Sequence, residues 1–364
     1  MGKSAPVNPS DPADQTAFAA ARDMCRRYAR GFYFASSFLP RAKRDAACAV
    51  VAFCGMVRDA MEAPQDSLEG ANGLRHHPIG TPSPSVGGAA TQSAPVAMGA
   101  PQTLGGCSTC GPTDSMDARV GLLRERLDEI YDGRLELPRP ESRSEPQHAL
   151  HAFALSARRH HIPRQYFVDL ADALWRDETV MRYATWASLA RQCRQGAGSA
   201  ALALGAVFGV THSGAGEHAV QLATAMRLTT ILCDLKADRD RGKIYLPLED
   251  LARFRYSERD LARGTVNDPF RELIRFEIAR ARGLFRDGTE GLCWLGDDGS
   301  RLTVSALAAN AAGLLDAIER QGCDVFTRPP SLSAGQKLRR LPVAWSLSRR
   351  RPGERMPDVF RAAR

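Results

Sequence analysis

The sequence lacks the long apolar segments that membrane insertion and export require. No run of about 18 consecutive apolar residues occurs in the 364-residue chain, so we expect no membrane-spanning helix. The N-terminal stretch MGKSAPVNPSDPADQ has no apolar core, so we expect no signal peptide. The nine cysteines are scattered, mostly in apolar helical patterns, as is typical of buried thiols in a reducing compartment. These absences predict a cytoplasmic protein.

Sequence patterns typical of nucleic-acid binding are also absent. The formal net charge is +8, but the basic residues do not alternate with aromatic ones as they do in single-strand binders. The sequence has neither a zinc-finger spacing nor a basic region joined to heptads. We therefore expect no nucleic-acid partner. The basic surplus is compatible with an anionic substrate or a membrane surface.

Aromatic residues are missing from one long segment. Residues 64–116 contain no Phe, Trp or Tyr and are rich in Gly, Pro, Ser and Ala. Such a composition cannot bury enough apolar surface to fold, so we predict a disordered insertion. Cys107 and Cys110 form an isolated CxxC pair there. A zinc site would need His76 and His77 as partners, at a spacing unlike the usual zinc motifs, so we do not favour one.

A dense set of charges lies between Arg227 and Pro247, in the stretch RLTTILCDLKADRDRGKIYLP. Asp234 and Asp238 are four residues apart, so on a helix both carboxylates lie on one face. Basic and phenolic side chains follow them: Arg239, Arg241, Lys243 and Tyr245. Carboxylates bind Mg²⁺, and Arg and Lys bind phosphate oxygens, so the pattern suits a diphosphate that carries Mg²⁺. The acid spacing alone, however, is more typical of an ordinary solvated helix face.

Apolar residues recur every three to four positions through most of the remaining chain. This period predicts helices near residues 41–61, 117–133, 145–160, 271–287 and 303–321. The prediction is therefore an all-α protein.

The string DLKADRDRGKIYLP resembles the second aspartate-rich motif of the squalene/phytoene synthase family. The sequel LEDLARFRYSERDL and the later RFEIARARGLF are similar to that family's continuation, and the resemblance covers roughly residues 20–63 and 117–328. It implies a single large helical bundle of the isoprenoid (terpenoid) synthase type. The apolar cavity of that bundle would have the two acidic helix faces at its mouth.

The resemblance also implies a reaction, the head-to-head condensation of two prenyl diphosphates with release of diphosphate. Two C20 units, geranylgeranyl diphosphate, would give phytoene, and two C15 units, farnesyl diphosphate, would give squalene or hydroxysqualene. The implied cofactor is Mg²⁺, for which Mn²⁺ can substitute. NADPH is expected only if the product is squalene, and the chain length is left open.

The resemblance further assigns roles to single positions. On the second motif's helix, Thr230, Asp234 and Asp238 are the implied metal ligands. The first motif reads FCGMVRDAMEAP here, and Asp59 and Glu62 would form a weakened second acidic site that binds metal. The implied diphosphate-binding residues are Arg30, Arg58, Arg227, Arg239, Arg241, Lys243 and Tyr245. Asp172 and Asp177 match acidic positions of a connecting segment, but a polar helix face explains them equally well.

Four positions depart from the family pattern. Gly55 replaces an Arg, Arg58 replaces the first Asp of the first motif, Gln192 replaces a cavity-facing Tyr, and Cys233 replaces an Arg. A guanidinium cannot bind a metal ion, so Arg58 would have to hold diphosphate directly. These departures favour a rival hypothesis, a catalytically inactive protein that serves as an assembly factor. The intact second motif favours the enzyme.

The predicted domain layout has four parts. They are a disordered N-terminus (1–17), a helical domain (18–63 and 117–328), the insertion (64–116) and a basic C-terminal tail (329–364). Basic and apolar residues alternate in the tail, which could hold the protein peripherally on an anionic inner-membrane surface. A tail that is simply solvated is an equal alternative, since Pro342 interrupts any continuous amphipathic helix.

Overall fold

The protein is an all-α bundle, as predicted. A computed structural model describes residues 11–62, 112–351 and 354, and this part of the chain contains no β-strand, only one isolated parallel bridge between Arg182 and Ile244. Its α-helices are α1 (Pro12–Tyr28), α2 (Arg30–Ala35), α3 (Arg41–Glu62), α4 (Pro112–Asp132), α5 (Glu145–Arg159), α6 (Gln165–Thr179), α7 (Trp186–Cys193), α8 (Ser199–Phe208), α9 (Ala215–Asp240), α10 (Leu248–Arg253), α11 (Glu258–Arg263), α12 (Asp268–Thr289), α13 (Ser300–Arg320), α14 (Ala334–Leu338) and α15 (Leu341–Ser348).

The longest described helix, α9, forms the centre of one half of the bundle and packs along α12. Gly288 allows these helices to approach closely, because a Cβ at this position would lie 2.5 Å from the backbone nitrogen of Leu222. Leu228, Leu232 and Ile278 are fully or almost fully buried in this half. The packing fixes the position of the acidic end of α9.

The other half of the bundle is built from α1, α3, α5 and α6. Phe53 stacks on Phe153 with ring centroids 3.8 Å apart, and Phe167 packs edge-on against both rings. These aromatic contacts join α3, α5 and α6 around one buried cluster. They hold the C-terminal turns of α3 at the same cavity as the end of α9.

One helix of the described residues, α13, is long and apolar enough to cross a membrane by length and composition. It lies inside the bundle against α9, α12 and α15, where Ala308, Ala312 and Leu315 are completely buried. Its apolar character is therefore accounted for by packing in the core.

Two of the predicted domain boundaries differ from the helix bounds in the structure. Helix α1 begins at Pro12 with Asp11 as its N-cap, so the predicted N-terminal segment of 1–17 is too long. Helix α4 begins at Pro112, inside the predicted insertion of 64–116. The rest of that segment, with His76, His77, Cys107 and Cys110, lies outside the described residues.

The predicted tail, 329–364, is partly integrated into the fold. Helix α15 packs on α13 and buries Ala344 and Leu347. Arg340 fixes this contact by an ion pair with Asp316 at 2.6 Å. Pro342 occupies the first turn of α15, where proline needs no backbone donor, and so it starts a helix there.

Candidate active site

A cavity of about 1100 Å³ opens between α3, α6, α7 and α9. Apolar side chains line much of its wall: Met24, Met56, Leu170, Leu174, Leu189 and Ile231. Charged residues from α3, α6 and α9 line the same cavity. A space of this size and lining suits a long apolar ligand with a charged head group.

The acidic face of α9 lies in this cavity. Asp238 is almost fully buried and accepts a hydrogen bond from Arg241 at 2.5 Å. Asp234, one turn earlier, makes no hydrogen bond or ion pair within the described residues. Burial raises the pKa of Asp234, and the charge of Asp238 raises it further against the opposing effect of Arg227 and Arg241. Burial also raises the pKa of Asp238, although the hydrogen bond from Arg241 lowers it.

The end of α9 adds to this negative field. The helix ends at Asp240, and Gly242 follows with a φ of +76°, a left-handed conformation that favours glycine. The last helical carbonyls carry the negative end of the helix dipole, which favours a cation within the last turn. Two carboxylates therefore line the cavity within the last two turns of α9.

Asp177, near the end of α6, connects several cationic and phenolic groups. Its carboxylate accepts hydrogen bonds from Tyr245 at 2.6 Å and from Tyr183 at 3.3 Å. Lys243 forms an ion pair with it at 3.2 Å, and Arg227 lies 3.6 Å away. Lys243 also donates a hydrogen bond to the backbone carbonyl of Asp177. This network holds the residues after α9 against α6.

The backbone supports the same arrangement. The amide of Ile244 donates to the carbonyl of Met181 at 3.0 Å, and that of Leu248 donates to Tyr183 at 2.9 Å. The segment after α9 thus runs beside the segment after α6. Since side chains alternate along an extended backbone, Lys243 and Tyr245 both reach the cavity while Ile244 does not.

The face of α3 is built differently. Arg58, Asp59 and Glu62 all line the cavity. The Nε atom of Arg58 lies 4.0 Å from Asp59 and 3.9 Å from Glu62. Burial raises the pKa of Glu62, and the charge of Arg58 lowers it. Each carboxylate of this face therefore has a guanidinium beside it.

A phenol from α1 completes this face. The hydroxyl of Tyr28 donates to Asp59 at 2.5 Å, and burial raises the pKa of Tyr28, so the phenol stays protonated. A Cβ at position 55 would lie 2.3 Å from the Tyr28 ring. Gly55, one of the four departures from the family pattern, is therefore what lets this ring pack on α3.

Most of the predicted site residues line the one cavity: Arg58, Asp59, Glu62, Arg227, Thr230, Asp234, Asp238, Arg241, Lys243 and Tyr245. The Thr230 hydroxyl donates to the carbonyl of Met226 at 3.1 Å, and its role as a metal ligand stays a prediction.

Two of the predicted diphosphate-binding residues do not line the cavity. Arg30 is exposed at the start of α2. Arg239 packs over the Phe326 ring at 5.2 Å and pairs with Asp240 at 2.7 Å. Helix α9 continues through Arg239. Successive residues of an α-helix are rotated by about 100° about its axis, so the side chain of Arg239 leaves the helix in a different direction from that of Asp238. Arg239 therefore points away from the face that Asp238 shares with Arg241.

Sequence reasoning missed Asp177 and Tyr28 as site residues. For Asp177 the sequence favours neither a site residue nor a polar helix face, because nothing in the local pattern separates the two. Tyr28 lies only two residues before Arg30, in the segment RRYARGFYFASSFLPR, yet the need for Gly55 beneath its ring becomes visible only in three dimensions.

The other two departures have structural explanations. Gln192 lines the cavity and donates to the carbonyl of Ala173 at 2.6 Å, which ties α7 to α6. Cys233 is partly buried against the core around α9. Burial raises the pKa of its thiol, so it stays uncharged.

The α9 face fits a divalent cation better than the α3 face does. Among the described residues no group of three or more His, Cys, Asp or Glu side chains is arranged to hold a metal. Mg²⁺ does not need such a group, because it is usually held by one or two carboxylates together with phosphate oxygens and water. Asp234, unpaired beside Asp238, provides this. On α3, the guanidinium of Arg58 lies about 4 Å from both carboxylates, and the phenol of Tyr28 donates to Asp59.

Comparisons with known proteins agree with this geometry. A model of the squalene/phytoene synthase family matches residues 25–336. The chain is 31% identical to a 15-cis-phytoene synthase of Synechocystis sp. over 343 residues, 91% of this chain and 85% of the relative. It is 28% identical to a 15-cis-phytoene synthase of Synechococcus elongatus over 340 residues, 90% of this chain and 92% of the relative.

Solved structures show the same fold. The chain superimposes on a dehydrosqualene synthase with a TM-score of 0.69 and 20% identity, covering 92% of this chain and 96% of the other. For a squalene synthase from Alicyclobacillus acidocaldarius the TM-score is 0.63 and the identity 22%, covering 85% and 98%. At these identities the likeness establishes the architecture alone.

Proposed function

The chain belongs to the squalene/phytoene synthase family, and we propose that it carries out the family's reaction, head-to-head condensation of two prenyl diphosphates, in the cavity between α3 and α9. It is thus a prenyltransferase that releases diphosphate. The observation that carries the proposal is the acidic face of α9 within an apolar cavity that also contains Arg227, Arg241 and Lys243.

We assign a divalent metal ion to Asp234 and Asp238. The family depends on divalent metal, and Mg²⁺ suits these oxygen ligands, with Mn²⁺ as a substitute. When bound, Mg²⁺ would neutralise charge on the diphosphate and so make it a better leaving group. Thr230 lies one turn before Asp234 and could add an oxygen.

The protein's own residues perform the remaining tasks. Arg241 and Lys243 present cations to the diphosphate that departs when the bond between its oxygen and the first prenyl carbon breaks, with the electron pair leaving on oxygen. Asp177 holds Lys243 and Tyr245 in place for this contact. The apolar wall, which includes Leu170, Leu174 and Ile231, keeps water from the allylic cation that remains.

We further propose which prenyl group the substrate carries. The similarity to phytoene synthases over about nine-tenths of the chain supports geranylgeranyl diphosphate as the substrate over farnesyl diphosphate. Condensation of two C20 units to phytoene needs no reductant, so NADPH would enter only if the C15 route to squalene is used.

We also propose that the C-terminal helices touch an anionic lipid surface, which would place a cytoplasmic protein on the inner membrane. Leu338 and Trp345 are 52% and 53% exposed. The Arg349 guanidinium lies 4.4 Å from the centre of the Trp345 ring. An exposed aromatic ring with adjacent basic groups is typical of an interfacial contact.

Liposome sedimentation tests the membrane proposal. We expect the protein to sediment with vesicles that contain anionic lipid and not with neutral vesicles. The Leu338→Glu, Trp345→Glu variant should lose this binding but remain folded, because both side chains are exposed. Equal sedimentation of variant and wild type would contradict the proposal.

Release of diphosphate by the purified protein tests the main function. The assay supplies C15 or C20 prenyl diphosphate with Mg²⁺ and identifies the hydrocarbon product. We expect release from the C20 substrate, with phytoene as product, and its loss in the Asp234→Asn, Asp238→Asn variant. No release from either substrate by folded protein would favour the rival hypothesis of an inactive assembly factor.

A further inference from the structure

Among the basic residues that line the cavity, Arg58 has the weakest contacts with acidic side chains. Its Nε atom lies 4.0 Å from Asp59 and 3.9 Å from Glu62, which is too far for a hydrogen bond. Within the described residues its two terminal amino groups make no hydrogen bond. Its side chain is 45% exposed and lines the cavity. A guanidinium in this state can offer a planar pair of donors to an anion.

The other cations of the cavity already have partners. Arg241 donates to Asp238 at 2.5 Å, and Arg227 donates to the hydroxyl of Tyr245 at 3.1 Å. Lys243 forms its ion pair with Asp177 at 3.2 Å. A second anion in the same cavity would therefore meet Arg58 as the available donor.

A metal ion does not fit the same place. A cation between Asp59 and Glu62 would face the guanidinium of Arg58 and be repelled by it. It would also have to compete with the Tyr28 hydroxyl, which donates to Asp59 at 2.5 Å. The Arg58 guanidinium lies 5.6 Å from the centre of the Tyr28 ring, a contact that helps to keep it on this face.

We propose that Arg58 binds one substrate diphosphate directly, and that the protein holds metal on the α9 face alone. The inference rests on the proposed function and deepens it: the two diphosphates are held in chemically different ways. One would be held by a metal ion at Asp234 and Asp238. The other would be held by the fork of Arg58, with Asp59 and Glu62 orienting that fork instead of binding metal.

Counting bound metal ions tests the proposal without any turnover. Mn²⁺ is titrated into the protein in the presence of inorganic diphosphate, and bound Mn²⁺ is followed by electron paramagnetic resonance. We expect the Asp59→Asn, Glu62→Gln variant to bind as many Mn²⁺ ions as the wild type. The Asp234→Asn, Asp238→Asn variant should bind none at the site. A lower count in the α3 variant would overturn the proposal.

Diphosphate binding in the presence of a chelator tests the role of Arg58 itself. By calorimetry, Arg58→Gln should weaken metal-free binding of inorganic diphosphate by about 10-fold or more, the effect of losing a charge-assisted hydrogen-bonded pair. Arg58→Lys should restore only part of the affinity, because ammonium lacks the planar fork. Unchanged affinity in Arg58→Gln would overturn the proposal.

Arg126→Gln is the matched control. Arg126 is also 45% exposed and pairs with Glu129 at 2.6 Å, but it lies on α4 and does not line the cavity. A failure of this inference can be distinguished from a failure of the proposed function. If wild-type protein releases diphosphate from a prenyl substrate while the α3 variant loses bound Mn²⁺, the function stands and this inference falls.

Discussion

The acidic faces of α9 and α3 have similar spacings and different surroundings. Asp234 and Asp238 lie one turn apart on α9, and Asp59 and Glu62 lie almost one turn apart on α3. On α9, Arg241 pairs with Asp238 at 2.5 Å and Asp234 has no partner among the described residues, whereas on α3 Arg58 lies within 4.0 Å of both acids. This difference indicates that the spacing of two acids does not by itself define a metal site. Whether a carboxylate is available to bind metal depends also on the basic and hydrogen-bond-donating side chains that lie beside it.

The largest effect is expected from removing the α9 acids. The Asp234→Asn, Asp238→Asn variant should lower kcat by about 10³-fold or more, since metal-assisted charge stabilisation contributes several kcal/mol. It should unfold at the same or a higher temperature, because burial raises both pKa values and so makes the charged forms unfavourable in the fold.

Replacing the two acids of α3 tests whether the α3 and α9 faces act differently. The Asp59→Asn, Glu62→Gln variant should lower kcat by no more than about 10-fold, because these acids orient Arg58 and do not hold metal. Steady-state rates of diphosphate release compare the two variants directly. Equal losses of kcat in both would show that the faces act alike.

The next largest effect is expected from removing the charge of Asp177, which links α6 to the segment after α9. Asp177→Asn should lower the free energy of unfolding by about 3 kcal/mol, because it leaves Lys243, itself 10% exposed, without its charge partner. Denaturant titration measures this. Asp172→Asn is the control on the same helix, since Asp172 pairs with Arg124 at the surface and should change stability by less than about 1 kcal/mol.

A smaller effect is expected from the glycine beneath Tyr28. Gly55→Ala should cost about 1–3 kcal/mol, because the added methyl group would overlap the Tyr28 ring at 2.3 Å. Gly31→Ala is the control, since a Cβ there meets nothing within 4 Å and alanine favours a helix. Thermal unfolding that is no lower for Gly55→Ala than for Gly31→Ala would contradict the packing described for Tyr28.

A third acidic pair shows what an arginine between two acids does when it is buried. Arg280 donates to Asp250 at 2.8 Å and to Glu277 at 2.7 Å, and Glu277 is 0% exposed. Burial raises the pKa of Glu277 from 4.5 to about 8, although Arg280 lowers it. This pair lies outside the cavity and joins α10 to α12.

The pH dependence of stability follows from that raised pKa. Protonated Glu277 stabilises the fold below the unfolded value of 4.5, and this contribution is lost as the pH rises through about 8. The free energy of unfolding should fall by up to about 1 kcal/mol per pH unit in this interval. Glu277→Gln, which stays neutral, should remove that slope. Denaturant titrations at several pH values would contradict the assignment if both proteins gave the same slope.

The parts of the site that follow from local sequence were predictable. Asp234, Asp238 and Arg241 share a face because helix geometry alone sets that relation. The apolar period indicated the helices, and the family resemblance implied the bundle. Arg239, predicted to bind diphosphate, does not line the cavity, and the sequence pattern did not fix where α9 ends. Its extension through Asp240 turns Arg239 towards Phe326.

The parts that depend on distant packing were not predictable. Asp177 acquires its role only because the segments after α6 and α9 run side by side. Tyr28 meets Asp59 only because Gly55 lets α1 approach α3. Helix α15 continues the bundle because its apolar face fits α13, a match that the basic character of the tail obscures.

The most direct test of the difference between the two faces is to locate Mn²⁺ by anomalous scattering. Crystals of the wild-type protein would be grown with Mn²⁺ and a non-hydrolysable prenyl thiolodiphosphate. We predict anomalous peaks beside Asp234 and Asp238, and a diphosphate that contacts Arg58 with no peak between it and α3. A peak bound by Asp59 and Glu62 would contradict the account, because it would show that α3 holds metal despite Arg58 and Tyr28.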